Sequence, residues 1–315
     1  MQLIRQYEFG GPETLKFESA DDLTPGPGQV RIEVAAAGVH LVDTYIRRGE
    51  RMGTMPPADL PMTPGREVAG TVSAVGPGVA ADWTGAPVVV HLGQANGGYA
   101  SQAVAPVAEL LRLQEGTPFD KAVVMLGTGR TTLAVLDLAE IGAEDVVLVT
   151  SAAGGMGVLL TQAAHNASAS VIAAAGGAHR LEPLDAEVKV DYREPGWAAG
   201  LEPTVVLDGV GGAAGREALE ALGVGGRFVV FGWSSGTPTE FTHRDIMAKG
   251  LRVTALGPRL LHRPGILREL AKRALGELSE GRLVPVVQRF PLAEAARAHT
   301  AIQTRAAVGK VVLVP

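Results

Sequence analysis

From about residue 119 the chain alternates short, wholly apolar runs with helical stretches, and no other feature constrains its fold as tightly. The runs are DVVLVT (145–150), SVIAAAG (170–176), TVVLDGVG (204–211), GGRFVVFGW (225–233) and GLRVTALGP (250–258). A strand that is apolar at nearly every position has no face to offer water, so both faces must be covered. The intervening segments, such as MGVLLTQAAHNA and GREALEAL, have helical periodicity and supply that cover. Strand, helix, strand in this order predicts a doubly wound parallel sheet, hence an α/β fold.

The first 118 residues follow another rule. Segments such as QVRIEVAAAG (29–38), EVAGTVSAVG (67–76) and PVVVHL (87–92) are separated by PGPG, PPADLP and GPG turns, which predicts an irregular antiparallel β domain. Residues 264–280 read as a helix, followed by a strand around VPVVQRF, a short helix and the terminal strand GKVVLVP. Because this tail resumes short β segments, it is expected to return to the first domain. The predicted organisation is therefore a β-rich domain over 1–118, completed by 264–315, with a nucleotide-type domain over 119–263. A length of 315 residues suits two such domains.

Composition narrows the function. The formal net charge is −5, without any run of Lys or Arg beyond isolated pairs, so nothing marks a nucleic-acid or anionic-membrane partner. The absence of cysteine excludes disulfides, thiolate nucleophiles and zinc sites that rely on Cys sulfur. The N-terminal MQLIRQYEFG lacks the apolar core of a signal peptide, and no stretch approaches 18 uninterrupted apolar residues. A cytoplasmic protein is expected.

The stretch VTSAAGGMGVLL (149–160) places Gly154, Gly155 and Gly157 where a buried strand passes into a helix beginning near Met156. Glycines there allow a sharp turn and let a pyrophosphate approach the free N–H groups of the helix start. Plain strand-to-helix packing would also use them. A fold that prefers NAD usually has Asp or Glu about 20 residues on, for the adenosine ribose. Here SVIAAAG ends in Ala174, Ala175 and Gly176, and the first charge is Arg180, with DYRE at 191–194. Missing acid together with Arg180 and Tyr192 favours a 2′-phosphate, and so NADPH; a surface salt bridge is the alternative for Arg180.

End to end the chain resembles the zinc-independent quinone oxidoreductases of the medium-chain dehydrogenase/reductase superfamily, the family related to zeta-crystallin. The carriers are FGGPETL (9–15), GVHLVDTYIRRG (38–49), PGREVAGTVSAVGPGV (64–79), GGYASQAV (97–104), TGRTTLAVL (128–136), SAAGGMG (151–157), DYRE, VVLDGVGG (205–212), VVFGWSSG (229–236) and GKVVLVP (309–315). The resemblance implies a GroES-like catalytic domain plus a Rossmann nucleotide-binding domain, with the active site in the cleft. It implies Thr131 near the nicotinamide ribose or phosphates, Gly154, Gly155 and Met156 at the pyrophosphate, and Gly176, Arg180 and Tyr192 around the 2′-phosphate. Phe231, Gly232 and Ser235 would line the cofactor, with Lys310 close by, although Phe231 also reads as a core aromatic at a strand end. Relatives commonly form homodimers through the strand at 250–258.

Zinc-dependent cousins have Cys at the position of His40 and His at that of Arg66. A guanidinium cannot ligate, so no metal is expected. Without a Lewis acid to stabilise an alkoxide, an already electrophilic acceptor suits better, such as a quinone or an α,β-unsaturated carbonyl. His40 and Tyr45, five positions apart in GVHLVDTYIRRG, are the candidate proton donors and are expected near one side of a helical turn. Packing alone, with water as the donor, is the competing reading. Arg66 is expected to pair with Glu67 or Asp43. The alternatives are an enoyl-thioester reductase, for which Arg47, Arg48 and Arg51 form the nearest basic entrance, and a non-catalytic NADPH-binding sensor or structural protein.

Overall fold

In the first third of the chain, alternation decides which residues point inward. β3 (Gln29–Gly38) buries Val30, Ile32 and Val34 and turns Glu33 to solvent, so one face packs and the other does not. It follows the hairpin of β1 (Gln2–Gln6) and β2 (Leu15–Ser19), and leads through helix α1 (Leu41–Arg47) to β4 (Glu67–Val75), β5 (Pro87–His91), β6 (Gln102–Pro106) and β7 (Leu111–Arg112). These coordinates are a computed structural model describing residues 1–50, 58–93, 96–257 and 263–315. Arg51 and Pro258, the end of the expected pairing strand, lie outside the described residues.

Helix α2 (Phe119–Val124) passes through a π-helical turn (Met125–Gly129) into α3 (Arg130–Ala139). The five apolar runs, with VKVD, then form six parallel strands: β8 (Val146–Val149), β9 (Ser170–Ala175), β10 (Val188–Asp191), β11 (Val205–Asp208), β12 (Arg227–Val230) and β13 (Arg252–Ala255). Their order across the sheet is β10-β9-β8-β11-β12-β13. Strand order reverses between β8 and β11, the position where open α/β sheets bind ligands beyond the strand C-termini. Val147, Val149, Val171 and Ala173 pack on one face, and Leu148, Ile172 and Val206 on the other, which is why these runs carry no polar alternation.

α4 (Gly155–Asn166), α5 (Ala178–Leu181), α6 (Gly212–Ala221) and α7 (His243–Lys249) lie between these strands, and α8 (Ile266–Ser279) follows the last. The chain closes with β14 (Val287–Pro291), α9 (Ala295–Gln303) and β15 (Lys310–Val314). The last strand pairs with β14 in parallel and with β3 antiparallel, completing the sheet β14-β15-β3-β4-β5-β7, to which β6 adds on β3.

The chain divides into two compact units, residues 1–127 with 285–315, and residues 128–284. This moves both expected boundaries. Residues 119–127 belong to the first unit, where Ala122, Val123 and Val124 are buried. Residues 264–284 belong to the second. There α8 buries Leu270, Ala271 and Ala274, and Arg273 forms two 2.8 Å bonds with Asp137 of α3. Val284 exchanges two hydrogen bonds with Gln162 of α4. Only residues 285–315, with β14, α9 and β15, rejoin the first unit. The stretch Phe119–Ala139 is long and apolar enough to cross a membrane by length and composition, but most of it is buried within the protein.

Candidate functional site

In the second unit, β8 ends at a sharp turn. Ser151 takes a left-handed conformation (φ 52°), Gly154 caps α4, and the first helical bond runs from Val158 N–H to Gly154 at 3.0 Å. The N–H groups of Gly155, Met156 and Gly157 are thus without helical acceptors, and no acid stands in the first turn. Gly157 is obligatory for packing: a Cβ there would overlap the carbonyl of Ser151 and lie 2.6 Å from Ala152 Cα. The packing reading holds at Gly157, while Gly154, Gly155 and Met156 stand at a helix start whose N–H groups have no helical acceptors.

The two strands flanking the order reversal are tied together just past their ends. Thr150 Oγ1 donates to Asp208 Oδ1 at 2.9 Å and accepts from Gly209 N–H at 2.9 Å. Asp208, fully buried, also accepts from Val210 N–H, Gly211 N–H and, at 2.6 Å, Thr239 Oγ1. The Phe231 ring lies against Gly209, where no Cβ could fit, so it is an aromatic packed at a strand end beside this turn. Ser235 is fixed by N–H to Val210 at 2.9 Å, and Gly232 lies close to Gly209. Trp233 is half exposed. Thr131 sits half-buried in the first turn of α3.

At the end of β9 the Tyr192 ring lies against Gly176; a Cβ there would stand 3.2 Å from it. Gly177, with φ of 102°, has the His179 ring and Arg193 Nη2 beside it. Arg193 grips Asp191 with bonds of 3.0 and 2.7 Å, and Gly177 N–H donates to the same carboxylate at 3.0 Å. The hydrogen bond from Arg193, against a smaller opposing effect of burial, holds the Asp191 carboxyl down at about 2. Arg180, on α5, is buried rather than paired at the surface, and its Nε has no partner among the described residues. Arg193, His179, Thr150 and Asp208 were not singled out by their sequence positions. For Arg193 the signal was adjacency to Tyr192 in DYRE, whereas nothing local marks Asp208.

The first unit holds a second polar cluster. His40 precedes α1 and its N–H donates to Asp43 Oδ2 at 2.7 Å. Its ring is held at both nitrogens: Nε2 meets Glu67 Oε1, and Nδ1 lies 2.9 Å from Lys310 Nζ. Glu67 is fully buried, with its carboxylate between Gly38 and Gly127. Burial by itself raises its carboxyl, but the hydrogen bond from His40 and the charge of Lys310 prevail and hold it at about 2. Burial lowers the Lys310 ammonium to about 8. Lys310, expected beside a cofactor, is therefore directed at His40 and Glu67.

Deeper in this unit a directed chain runs from Arg47 to Asp43. Arg47 donates to His299 Nδ1 at 3.3 Å, so His299 Nε2–H donates to Tyr99 Oη at 3.1 Å, and Tyr99 donates to Asp43 at 3.2 Å. Arg66 faces Asp43 at 3.4 Å, the pairing expected for it. Burial lowers His299 to about 4 and raises the Tyr99 hydroxyl well above its usual range.

Tyr45 does not share a side with His40. Residues five apart on a helix diverge, since neighbours are three and four apart. His40 turns toward β4 and β15, whereas Tyr45 carries the Arg48 guanidinium 4.7 Å over its ring. Arg47 is buried and Arg48 is paired with Glu50, so the two described arginines of the supposed basic entrance are both committed.

Zinc does not fit this donor set. Arg66 has no lone pair to give, and the Lys310 ammonium already stands against His40 Nδ1, 3.8 Å from Glu67 Oε1.

Comparison with known proteins bears on the whole chain. Residues 26–115 match the model of the alcohol dehydrogenase GroES-like domain, and residues 184–313 that of the zinc-binding dehydrogenase. A quinone oxidoreductase of Pseudomonas aeruginosa is 32% identical, over 98% of this chain and 97% of that protein. One of Sus scrofa is 33% identical, over 99% and 97%. The crystal structure of an Escherichia coli quinone oxidoreductase complexed with NADPH superposes with a TM-score of 0.84 at 29% identity, with both chains covered completely. A GroES-like β unit, a six-stranded parallel sheet with its order reversing between β8 and β11, and full-length relatives above 30% identity together make this chain a member of the quinone oxidoreductases of the medium-chain dehydrogenase/reductase superfamily.

Proposed function

We propose that this protein is an NADPH-dependent reductase of quinones or α,β-unsaturated carbonyls that works without metal. The observation that carries the cofactor choice is the turn after β9: it has no acid at the strand end, Tyr192 lies on Gly176, and Arg193 and His179 flank Gly177. The carboxylate nearest that turn, Asp191, is committed to Arg193 and to Gly177 N–H, so the acid is neutralised, and the exposed Arg193 guanidinium keeps further N–H groups to offer a phosphate. Gly154, Gly155 and Met156 would hold the pyrophosphate. Gly176, Tyr192, Arg180 and Arg193 would hold the 2′-phosphate, with Thr131, Phe231, Gly232 and Ser235 lining the remainder. NADPH, when bound, supplies the hydride.

The acceptor is one whose carbon already accepts hydride, because the cluster of His40, Glu67, Arg66 and Lys310 offers donors and no metal-ligand set. Charge arriving on the substrate oxygen is met by hydrogen-bond donors, the effect that does most in such reactions. Of the two candidate proton donors, His40 has both ring nitrogens engaged, and the Tyr45 hydroxyl has no hydrogen-bond partner among the described residues. Tyr45, or water, supplies the proton in this reading. β13 closes one edge of the sheet and is the proposed pairing strand of a homodimer.

The test is oxidation of NADPH, followed by loss of its absorbance, by chelator-treated protein against a panel of quinones and conjugated enones, with NADH in parallel. Oxidation of NADPH in marked preference to NADH is expected. Tight NADPH binding with no turnover on any acceptor would overturn the reductase reading and favour a non-catalytic role.

A further inference from the structure

Half-buried His40 joins the buried Lys310 and Glu67 in a short line in which every polar contact has a determined direction. A lysine ammonium only donates, so at 2.9 Å from Lys310 Nζ the His40 Nδ1 must accept. The proton of a neutral imidazole then lies on Nε2, which points at Glu67 Oε1. Glu67 is fully buried and Lys310 almost so, and both are fixed on strands of one sheet, β4 and β15, which flank β3. Neither partner of His40 can therefore leave it by rotating into solvent.

We propose that Lys310 is a positioning residue that locks His40 in its Nε2–H form, with that proton held by Glu67, so that His40 is a fixed hydrogen-bonding element and not the acid of the reaction. An imidazolium would need a proton on Nδ1, facing an ammonium. This deepens the reductase reading by removing one of its two proton donors, but the geometry behind it depends only on the protein.

The tautomer can be read directly. In protein labelled with nitrogen-15 at histidine, the His40 resonances, assigned by their loss in His40→Gln, are expected to show an unprotonated Nδ1 and a protonated Nε2 at neutral pH. In the wild-type protein a protonated Nδ1, as tautomer or as imidazolium, would overturn the proposal. In Lys310→Met, checked for folding by circular dichroism, the lock is expected to be lost and both tautomers to be populated, with Lys310→Arg restoring the Nε2–H form. An unchanged tautomer in Lys310→Met would remove Lys310 from the role. Because the tautomer is measured without substrate, failure of the reductase reading would leave the test standing.

Discussion

Gly38 and Gly127 face the Glu67 carboxylate from two sides, and a Cβ at either position would overlap one of its oxygens. Neither glycine needs a positive φ, so the requirement is one of space and not of backbone conformation. Gly38→Ala or Gly127→Ala should destabilise the protein by about 1–3 kcal/mol, the range for overpacking a rigid site, read by urea denaturation. A second residue-scale prediction concerns His299, whose neutral ring is buried. Its folded value of about 4 lies below the unfolded value of about 6.5, so the unfolded chain binds the extra proton between these limits. Stability from this group is complete above about pH 6.5 and falls as pH drops toward 4, by about 3 kcal/mol. His299→Gln should start less stable at pH 7 and show a shallower loss down to pH 4.5. An equal slope in wild type and variant would refute this account of the Arg47–His299–Tyr99 chain.

For elements, the junction of β8 and α4 is the part most sensitive to small changes. Gly157→Ala pushes a methyl group into the Ser151 carbonyl and the Ala152 backbone, so the turn must move off the helix start. Weaker NADPH binding with a lower melting temperature is expected, whereas a purely conformational effect of Ala within a helix would stabilise. At the other turn, Arg193→Ala removes a charged donor beside Gly177 and frees Asp191. A charge-assisted hydrogen bond contributes about 1.5–3 kcal/mol, so NADPH should bind about 10–100-fold more weakly while NADH changes little. Titration calorimetry with both nucleotides checks it, and equal losses for the two would sink the 2′-phosphate assignment.

For the molecule as a whole, a ligand that binds only the folded state raises its stability by mass action. At a concentration 100 times the dissociation constant this amounts to about 2.7 kcal/mol, so NADPH should raise the melting temperature well above the effect of equimolar NADH. Pairing through β13 predicts a solution mass twice 32.6 kDa by light scattering, and a charge introduced at Val253 should shift the protein toward the monomer.

The apolar strands, the parallel sheet, the β-rich first unit and the glycine turn are legible in the sequence, because each follows from local periodicity or from a backbone requirement confined to a few residues. VKVD, which forms β10, was not read as a strand, since at a sheet edge its residues are only partly buried and carry little apolar signal. The boundaries shifted because α8 takes its side from the apolar face it packs on α3, a contact between segments far apart in the chain. The sequence by itself determined which residue types were present: no thiol, no acid after β9, and an arginine where a metal ligand would be needed. Only the tertiary structure decided that His40 faces Lys310, some 270 residues away. Direction of a side chain and burial of a charge depend on which strands lie side by side, and that is fixed by long-range packing, not by any local pattern.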